Sequence, residues 1–443
     1  MPAPNLRRFT RYRWPLVITS GVLVTAAFSL PPIVDLGEAH SPAAASLGTP
    51  LLYDILAPAS NVLDTLTLLS PAQYWATFAL CAMIFFTPGL VRDFRRPRGF
   101  SAARTTASCL RFIGGTVAVI GIMLLASRPM ASLSLDDPNL IAVDFHSHTS
   151  ASHDGRANFD AERNREWHQS SGFNVAYVTD HRTLAGAISA AERNPSLAGE
   201  GTTLLPGVEL RDGDEHPLVL GVDPRRMKIT SPDWRGAAVA ADGGPAPPIL
   251  ILTLPGNTSR VPEGENSGTI RLAAIEASDG SPRGMAQAGR DRQVIFALAD
   301  SLHLAIVSGS DNHGWGRAAP AWSVLRIPGW RAMTPAALDI AIRQTLLSRA
   351  PGKTEIILRR VAAPPSGKVE TALSGAAVGL SMLRTLNPRE RVSWILWGWA
   401  AALLSLIRAR RNRRQLRTRI RERMRRTARR PLIDAAAAMG AAS

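Results

Sequence analysis

Cysteine is nearly absent. The 443-residue chain has two, Cys81 and Cys109, both in or beside apolar segments. No disulfide framework can be read, and the redox compartment stays open. Acidic residues are few beside basic ones, 35 against 51, for a formal charge of +16. Such a surplus first suggests nucleic acid, but its placement argues otherwise. Thirteen arginines and one glutamate fall between Arg408 and Arg430, so that segment carries +12 and leaves +4 for the rest. One stretch has no basic residue at all: Asp35 to Gln73 contains neither lysine nor arginine.

Long apolar runs are abundant. Four stand out: Trp14 to Val34, Tyr74 to Val91, Phe112 to Ala131 and Val392 to Ile407. Each is close to the roughly 17 to 25 residues needed to cross a bilayer as a helix. They lack an amphipathic stripe and are bounded by arginines and tryptophans, which argues against buried core helices. A fifth stretch, Leu373 to Leu386, contains Arg384 and many small residues and reads as an interfacial or packing helix. The flanking charges give one consistent topology. Arg7, Arg8, Arg11 and Arg13 precede the first run, and Arg92, Arg95, Arg96, Arg98, Arg104 and Arg111 lie in or beside the second loop. Both termini are therefore expected in the cytoplasm, with about Ser132 to Arg391 outside it, which is the periplasm if the cell is Gram-negative. The basic tail is then a topology signal that meets anionic lipid, and no nucleic acid is expected as a partner. The first run reads alternatively as a cleaved signal peptide with "SPAAAS" (Ser41 to Ser46) as processing site, although those residues lie far from its end.

The expected organisation is a membrane region over 1–135, a soluble domain over 136–360, a linker over 361–391, a fourth span at 392–407 and a cytoplasmic tail over 408–443. After Ser132 short β-prone runs end in polar, chemically loaded residues: "NLIAVDFHSH", "NVAYVTDH", "TLLPGVEL", "PLVLGVD", "ILILTLPGN", "LAAIEAS" and "LAIVSGSDNH". Helical stretches such as "FDAERNREWHQSSGF" separate most of them. The alternation predicts a mostly parallel sheet covered on its faces, with active residues at the strand ends.

Nine histidines serve the whole chain, and three of them fall in "DFHSHTSASHDG", residues 144–155. Side chains at i and i+2 of a strand share a face, so His146 and His148 reach one cation together. Asp154 returns from the loop, His181 ends the next strand, Glu209 the third, His216 begins the fourth, and Asp311 and His313 form another i, i+2 pair. Imidazoles and carboxylates are the donors of zinc, manganese and iron(II) sites. Carboxylates gathered at one mouth would repel unless cations lay between them. A single HxH pair says little; eight such residues at strand ends are hard to explain as a satisfied core.

"DFHSHTSASHDG", "GFNVAYVTDHRT", "LLPGVEL", "HPLVLG" and "IVSGSDNHG" together resemble the ordered motifs of the PHP (polymerase and histidinol phosphatase) superfamily of metal-dependent phosphoesterases. The "GVEL…HPLVLG" spacing is most similar to its carbaryl-hydrolase-like branch. The resemblance covers roughly Leu140 to Ala350. It implies a distorted (β/α)7 barrel, here inserted between transmembrane helices, holding two or three divalent ions (Zn, Mn or Fe). By that resemblance His146, His148, Glu209 and Asp311 hold one ion. Asp154, His181 and His313 hold another and carry catalysis, while Glu209 bridges to a further ion that includes His216. The implied chemistry is hydrolysis of a small-molecule phosphoester by a metal-bridging hydroxide. One position departs: the histidine usual before proline at the fifth strand end is Leu254, which cannot ligate, leaving Asn257 or Thr253 as weak oxygen substitutes.

Arg156, Arg182 and Arg317 neighbour motif residues and suit phosphate oxygens. Each also reads as an ordinary surface or fold-stabilising arginine. His153 reads as a general acid or a solvated loop residue, His168 and His303 as structural or surface histidines. Arg225 and Arg226 lie in a long loop that could gate substrate. Two rival readings stand beside the phosphoesterase: a hydrolase of carboxylic or carbamic esters or amides, and a degenerate barrel serving as membrane sensor or assembly module. Oligomeric state is open.

Overall fold

The structure is a computed structural model. It describes residues 13–37, 42, 44–94, 101–211, 216–225, 247–253, 270–348 and 354–440. The chain forms two compact units, Met1–Phe28 with Asn387–Ser443, and Ser29–Leu386.

The first unit is a helix pair. Helix α1 (Arg13–Ala27) lies against a 53-residue helix at the C-terminal end, Pro388–Gly440, whose first part is apolar and whose later part carries the arginine run. Gly398 permits the approach, since an added Cβ would meet Ile18 at 3.3 Å, and the Trp399 indole donates to Thr19 Oγ1 at 3.1 Å.

The second unit carries the sheet. Its helices are α2 (Leu51–Ile55), α3 (Ala57–Thr67), α4 (Pro71–Phe94), α5 (Ala102–Leu125), α6 (Ala161–Ser171), α7 (Ala185–Ala191), α8 (Pro282–Ser301), α9 (Pro335–Ser348) and α10 (Lys368–Arg384). Its strands are β1 (Ile33–Asp35), β2 (Ala45–Gly48), β3 (Ser132–Leu135), β4 (Leu140–Ser147), β5 (Val175–Val178), β6 (Thr203–Glu209), β7 (Leu218–Leu220), β8 (Ile249–Leu252), β9 (Arg271–Ser278), β10 (Ala305–Ser308), β11 (Ala321–Arg326) and β12 (Thr354–Arg359). Among the described residues, three helices are long and apolar enough to cross a membrane: α4, α5 and the C-terminal helix over Pro388–Leu416. At 24 residues each, α4 and α5 extend about 36 Å. Helix α1 is apolar but shorter, at 15 described residues.

All seven β-prone runs form strands, and β11 and β12 extend the sheet beyond them. Ten strands join in the order β1-β12-β11-β4-β5-β6-β7-β8-β9-β10 and curl into a half-barrel. The sheet is mixed, not mostly parallel as the alternation suggests. Four of its nine pairings are parallel (β4–β5, β5–β6, β8–β9, β9–β10) and five antiparallel. Eight residues separate β6 from β7, too few for the crossover a parallel neighbour needs, so the chain turns back on itself. Residues of every strand from β4 to β11 meet in one apolar cluster, which Leu338, Ile342 and Leu346 of α9 close. Phe145 stacks on Tyr177 there at 5.6 Å.

Candidate metal centre

The β4–β5 ladder explains why the strand's histidines converge. Ile141, Val143 and Phe145 alternate into the interior cluster. The register then shifts between Asp144 and Ser147, an irregularity of the kind that re-aims the next side chains. His146 and His148 emerge together, buried, with ring centroids 5.1 Å apart. Facing them is Glu209, the last residue of β6. Its Oε2 lies 3.2 Å from Nε2 of His146, 3.2 Å from Nε2 of His148 and 3.1 Å from Nδ1 of His181. Its Oε1 lies 2.7 Å from Nδ1 of His216. One buried carboxylate thus meets four imidazoles.

Asp311 Oδ1 completes the first group, 3.5 Å from His146 Nε2 and 3.4 Å from His148 Nε2. Asp311 and His313 lie beyond the end of β10, and their placement depends on a turn. Asp311 adopts φ 48°, a strained left-handed conformation for a non-glycine residue, and its amide donates to the His146 carbonyl at 2.8 Å. Asp154 bridges the second group, with Oδ2 3.2 Å from His181 Nε2 and Oδ1 3.2 Å from His313 Nε2. The His148 ring stacks between these two, 4.0 Å from His313 and 4.8 Å from His181.

Donor atoms of His148, His181 and His313 lie within 4.8 Å of one another, as do those of His146, His148 and Glu209, and of His181, Glu209 and His216. Both ring nitrogens of His148 and Nε2 of His313 are buried without a hydrogen-bond partner. Orphaned polar atoms in such a place are costly unless they bind something. With carboxylate oxygens beside them, these imidazole nitrogens fit divalent ions of the zinc, manganese and iron(II) kind.

The electrostatics are those of tightly coupled opposite charges. Burial depresses the His146 pKa, but Glu276 and Glu209 outweigh it and raise it well above the usual histidine range. His148 is likewise held up at about 9, since the carboxylates of Asp311 and Glu209 beside it overcome its burial. Burial would raise Glu209, yet its histidines drive it well below the carboxylate range. His181 is lowered to about 4, chiefly by burial, and His313 falls for the same reason. Asp154, against its burial, is brought down to about 2 by Ser152 and the flanking histidines.

Behind the cluster stand residues that the sequence does not single out as ligands. Glu276, at the interior face of β9, sits 3.2 Å from Nδ1 of His146, so a carboxylate fixes that ring from behind. Asp144 Oδ1 accepts from the amides of His146 and Ser310 at 3.1 and 2.9 Å, tying the β4 pair to the Asp311 turn. Its Oδ2 lies 2.7 Å from Nε2 of His168, which is fully buried and structural. Asp180 accepts from the amide and hydroxyl of Thr149 at 2.6 and 2.7 Å. A carboxylate inside an otherwise apolar strand, as in "LAAIEAS", is the one sequence signal that points to Glu276.

The arginines divide. Arg156 is at the mouth: its amide donates to the His313 carbonyl at 2.9 Å and its guanidinium lies over Trp315, 5.7 Å from the ring centroid. Arg182 is exposed in a left-handed conformation at φ 51°. Arg317 turns from the cluster and donates from Nε to the Arg128 carbonyl at 3.1 Å. Arg225 is exposed, 3.8 Å from Glu192, and His303 is exposed. His153 is exposed, with its ring 4.9 Å from His181. The Thr253 hydroxyl is engaged with the His216 carbonyl at 2.8 Å. Leu254, Asn257 and Arg226 lie outside the described residues.

No family model matches the chain, and no curated protein matches it significantly. Solved structures do. PsfC from Pseudomonas syringae is 17% identical over 54% of this chain and 97% of its own, with a TM-score of 0.35. A two-domain protein from Bacteroides vulgatus, described as containing a predicted PHP-like metal-dependent phosphoesterase, is 15% identical over 46% of this chain and 63% of its own, at 0.28. The lesion-specific endonuclease Q of Pyrococcus furiosus is 12% identical over 48% of this chain and 57% of its own, at 0.32. None of these likenesses is close enough to assign a family.

Proposed function

We propose that the chain is a membrane-anchored metal-dependent hydrolase of phosphoesters whose barrel lies outside the cytoplasm. The observation that carries the reading is Glu209, one buried carboxylate in contact with His146, His148, His181 and His216, with Asp311 and Asp154 flanking it. His146, His148, Glu209 and Asp311 would hold one ion, Asp154, His181 and His313 a second, and His216 with Glu209 would serve a further one. Bound ions of this kind lower the pKa of coordinated water towards neutrality and neutralise phosphoryl charge. The chain's own residues orient the reaction. Glu276 and Asp144 hold the His146 ring and backbone from behind, and the Asp180–Thr149 bonds fix the loop that carries Asp154. Arg156, on the rim next to His313, offers a guanidinium to phosphate oxygens. Membrane anchoring is supported by the long apolar helices and by the alternation of arginine-rich with arginine-free loops.

The test is metal analysis of the purified full chain with assays on p-nitrophenyl phosphate, bis(p-nitrophenyl) phosphate and p-nitrophenyl acetate. A phosphoester should be hydrolysed, and His148→Ala and Asp311→Ala should lose metal and turnover together while remaining folded. Turnover of the acetate alone would give the carboxylester reading instead. A metal-loaded protein that cleaves none of the three would be the sensor barrel.

A further inference from the structure

We propose that the phosphoester is carried by a membrane lipid and is taken from the bilayer surface. The inference rests on the phosphoesterase reading above and adds the substrate's class. It starts from the turn that carries Asp311 and His313. Three residues past His313, the Gly316 amide donates to the carbonyl of Leu124 at 3.2 Å. Leu124 is in the last turn of α5, one of the helices long and apolar enough to span a membrane. The same turn touches α3, because an added Cβ at Gly316 would stand 2.9 Å from Cγ2 of Thr67. On the inner side Gly314 admits Phe159, whose ring an added Cβ would meet at 2.5 Å. Both glycines have positive φ, 85° and 81°, so Gly314-Trp315-Gly316 is a fixed turn wedged between the barrel and the end of a span. The rim that bears two metal-site residues therefore stands where α5 leaves the bilayer.

What surrounds that rim suits a lipid headgroup. Trp315 projects from the turn with 45% of its surface exposed, under the Arg156 guanidinium. A tryptophan beside an arginine is the pairing found at headgroup level. Between span and rim, Arg128 and Arg359 share the single carboxylate of Asp64, and Arg317 bonds the Arg128 carbonyl. Glu166 also faces Arg317, so three guanidiniums stand against two carboxylates and the region keeps a cationic surplus, which favours an anionic headgroup. Apolar surface flanks it. Leu51, Leu52 and Ile55 of α2 are exposed, while Tyr53 and Asp54 between them are buried. On α10, which lies against α4 with Gly375 touching Ala76, Val369, Leu373, Ala376 and Leu380 form an outward stripe at spacings of four, three and four. Such faces are stable when they rest in the acyl boundary of a bilayer.

The reaction is hydrolysis and balances with water alone. Water's oxygen bonds to phosphorus, the P–O bond to the leaving alcohol breaks, and a water proton passes to that oxygen. Phosphatidate would yield diacylglycerol and inorganic phosphate.

The experiment uses the full, metal-loaded chain in phosphatidylcholine vesicles and pairs each lipid with its soluble headgroup. Phosphatidate is compared with glycerol 3-phosphate, and phosphatidylglycerol with glycerophosphoglycerol. For the pair that is cleaved, the lipid should have the higher kcat/KM by roughly 100-fold, because the bilayer concentrates it at the rim. Trp315→Ala should reduce that lipid-to-soluble ratio by about tenfold, as loss of an aromatic anchor does. Equal rates on lipid and soluble members would overturn the inference and leave the phosphoesterase reading standing. A ratio unchanged in Trp315→Ala would remove the rim from the argument and overturn it too. No cleavage of any of the four, or of p-nitrophenyl phosphate, would remove both readings.

Discussion

Gly309 is the position where a single methyl group should disable the site. It lies between β10 and the Asp311 turn, and its amide donates to the Ser278 carbonyl at 3.0 Å. A Cβ added there would stand 2.3 Å from the Cβ of His146 and 2.2 Å from Oε1 of Glu276. Ordinary carbon contacts need about 3.5 to 4.0 Å, so the groups must part by more than about 1 Å. Neither yields easily: His146 is bound through its backbone to Asp311 and Asp144, and Glu276 is fully buried at the interior face of β9. Overpacking of this kind costs roughly 1 to 3 kcal/mol. The larger effect falls on function, since a reacting or ligating group misplaced by about 1 Å loses on the order of 100-fold in rate. Gly309→Ala should therefore stay folded with a lowered Tm, bind zinc weakly in a chelator competition, and hydrolyse p-nitrophenyl phosphate about 100-fold more slowly. Gly367→Ala is the control, because nothing lies within 4 Å of a Cβ there. Wild-type zinc affinity and turnover in Gly309→Ala would show that the His146–Glu276 contact does not organise the site.

Glu276→Gln keeps the volume but removes the carboxylate behind His146, and should weaken zinc binding by roughly 10- to 100-fold without unfolding the barrel; unchanged affinity by competition titration would deny it that role. Imidazoles ligate only when neutral, and His148 is held up at about 9 from an ordinary 6.5. Between those values an entering ion must displace the proton, so apparent zinc affinity should climb by about tenfold per pH unit for each proton released, and calorimetry in buffers of different ionisation heat should count it. A pH-independent affinity over that window would refute the assignment. A reporter active only outside the cytoplasm should work when fused near Pro138 or Pro351 and fail near Arg98 or after Arg430; activity at the arginine-rich sites would reverse the topology.

Much of the fold is legible because its signals are local. The seven apolar runs from "NLIAVDFHSH" to "LAIVSGSDNH" are strands, and "FDAERNREWHQSSGF" contains α6, capped by Asp160, whose side chain accepts from the Arg163 amide. Strand direction is not local. Nothing within "PLVLGVD" tells that β7 runs against both neighbours; only the short connection from β6 does. The helix limits differ from the apolar runs for a similar reason. Helix α5 begins at Ala102 and stops at Leu125, whereas hydropathy alone runs from Phe112 to Ala131. Arginines in its N-terminal part are good helix formers, and Pro129 lies just beyond its other end.

Which side chains gather at the strand ends was legible; what supports them was not. Two histidines at i and i+2 announce a shared face, but which face depends on the β4 register shift, which belongs to the pairing with β5 and leaves no mark in "DFHSH". Asp311 and His313 show the same spacing without any strand to explain it. Their approach to His148 is produced by a left-handed residue and a bond to the His146 carbonyl. Glu276, Asp144 and Asp180 act through partners 130, 166 and 31 residues away in the chain, a separation at which sequence spacing carries no information. Gly314-Trp315-Gly316 is the instructive case. Read as a string it is a loop tip, and only its wedge between Phe159 and Thr67 turns those two glycines into a requirement. The same wedge sets the distance between the Asp311–His313 cluster and the end of a long apolar helix, so on the reading proposed above the constraint that shapes the turn is also the one that would select a substrate held at the bilayer surface.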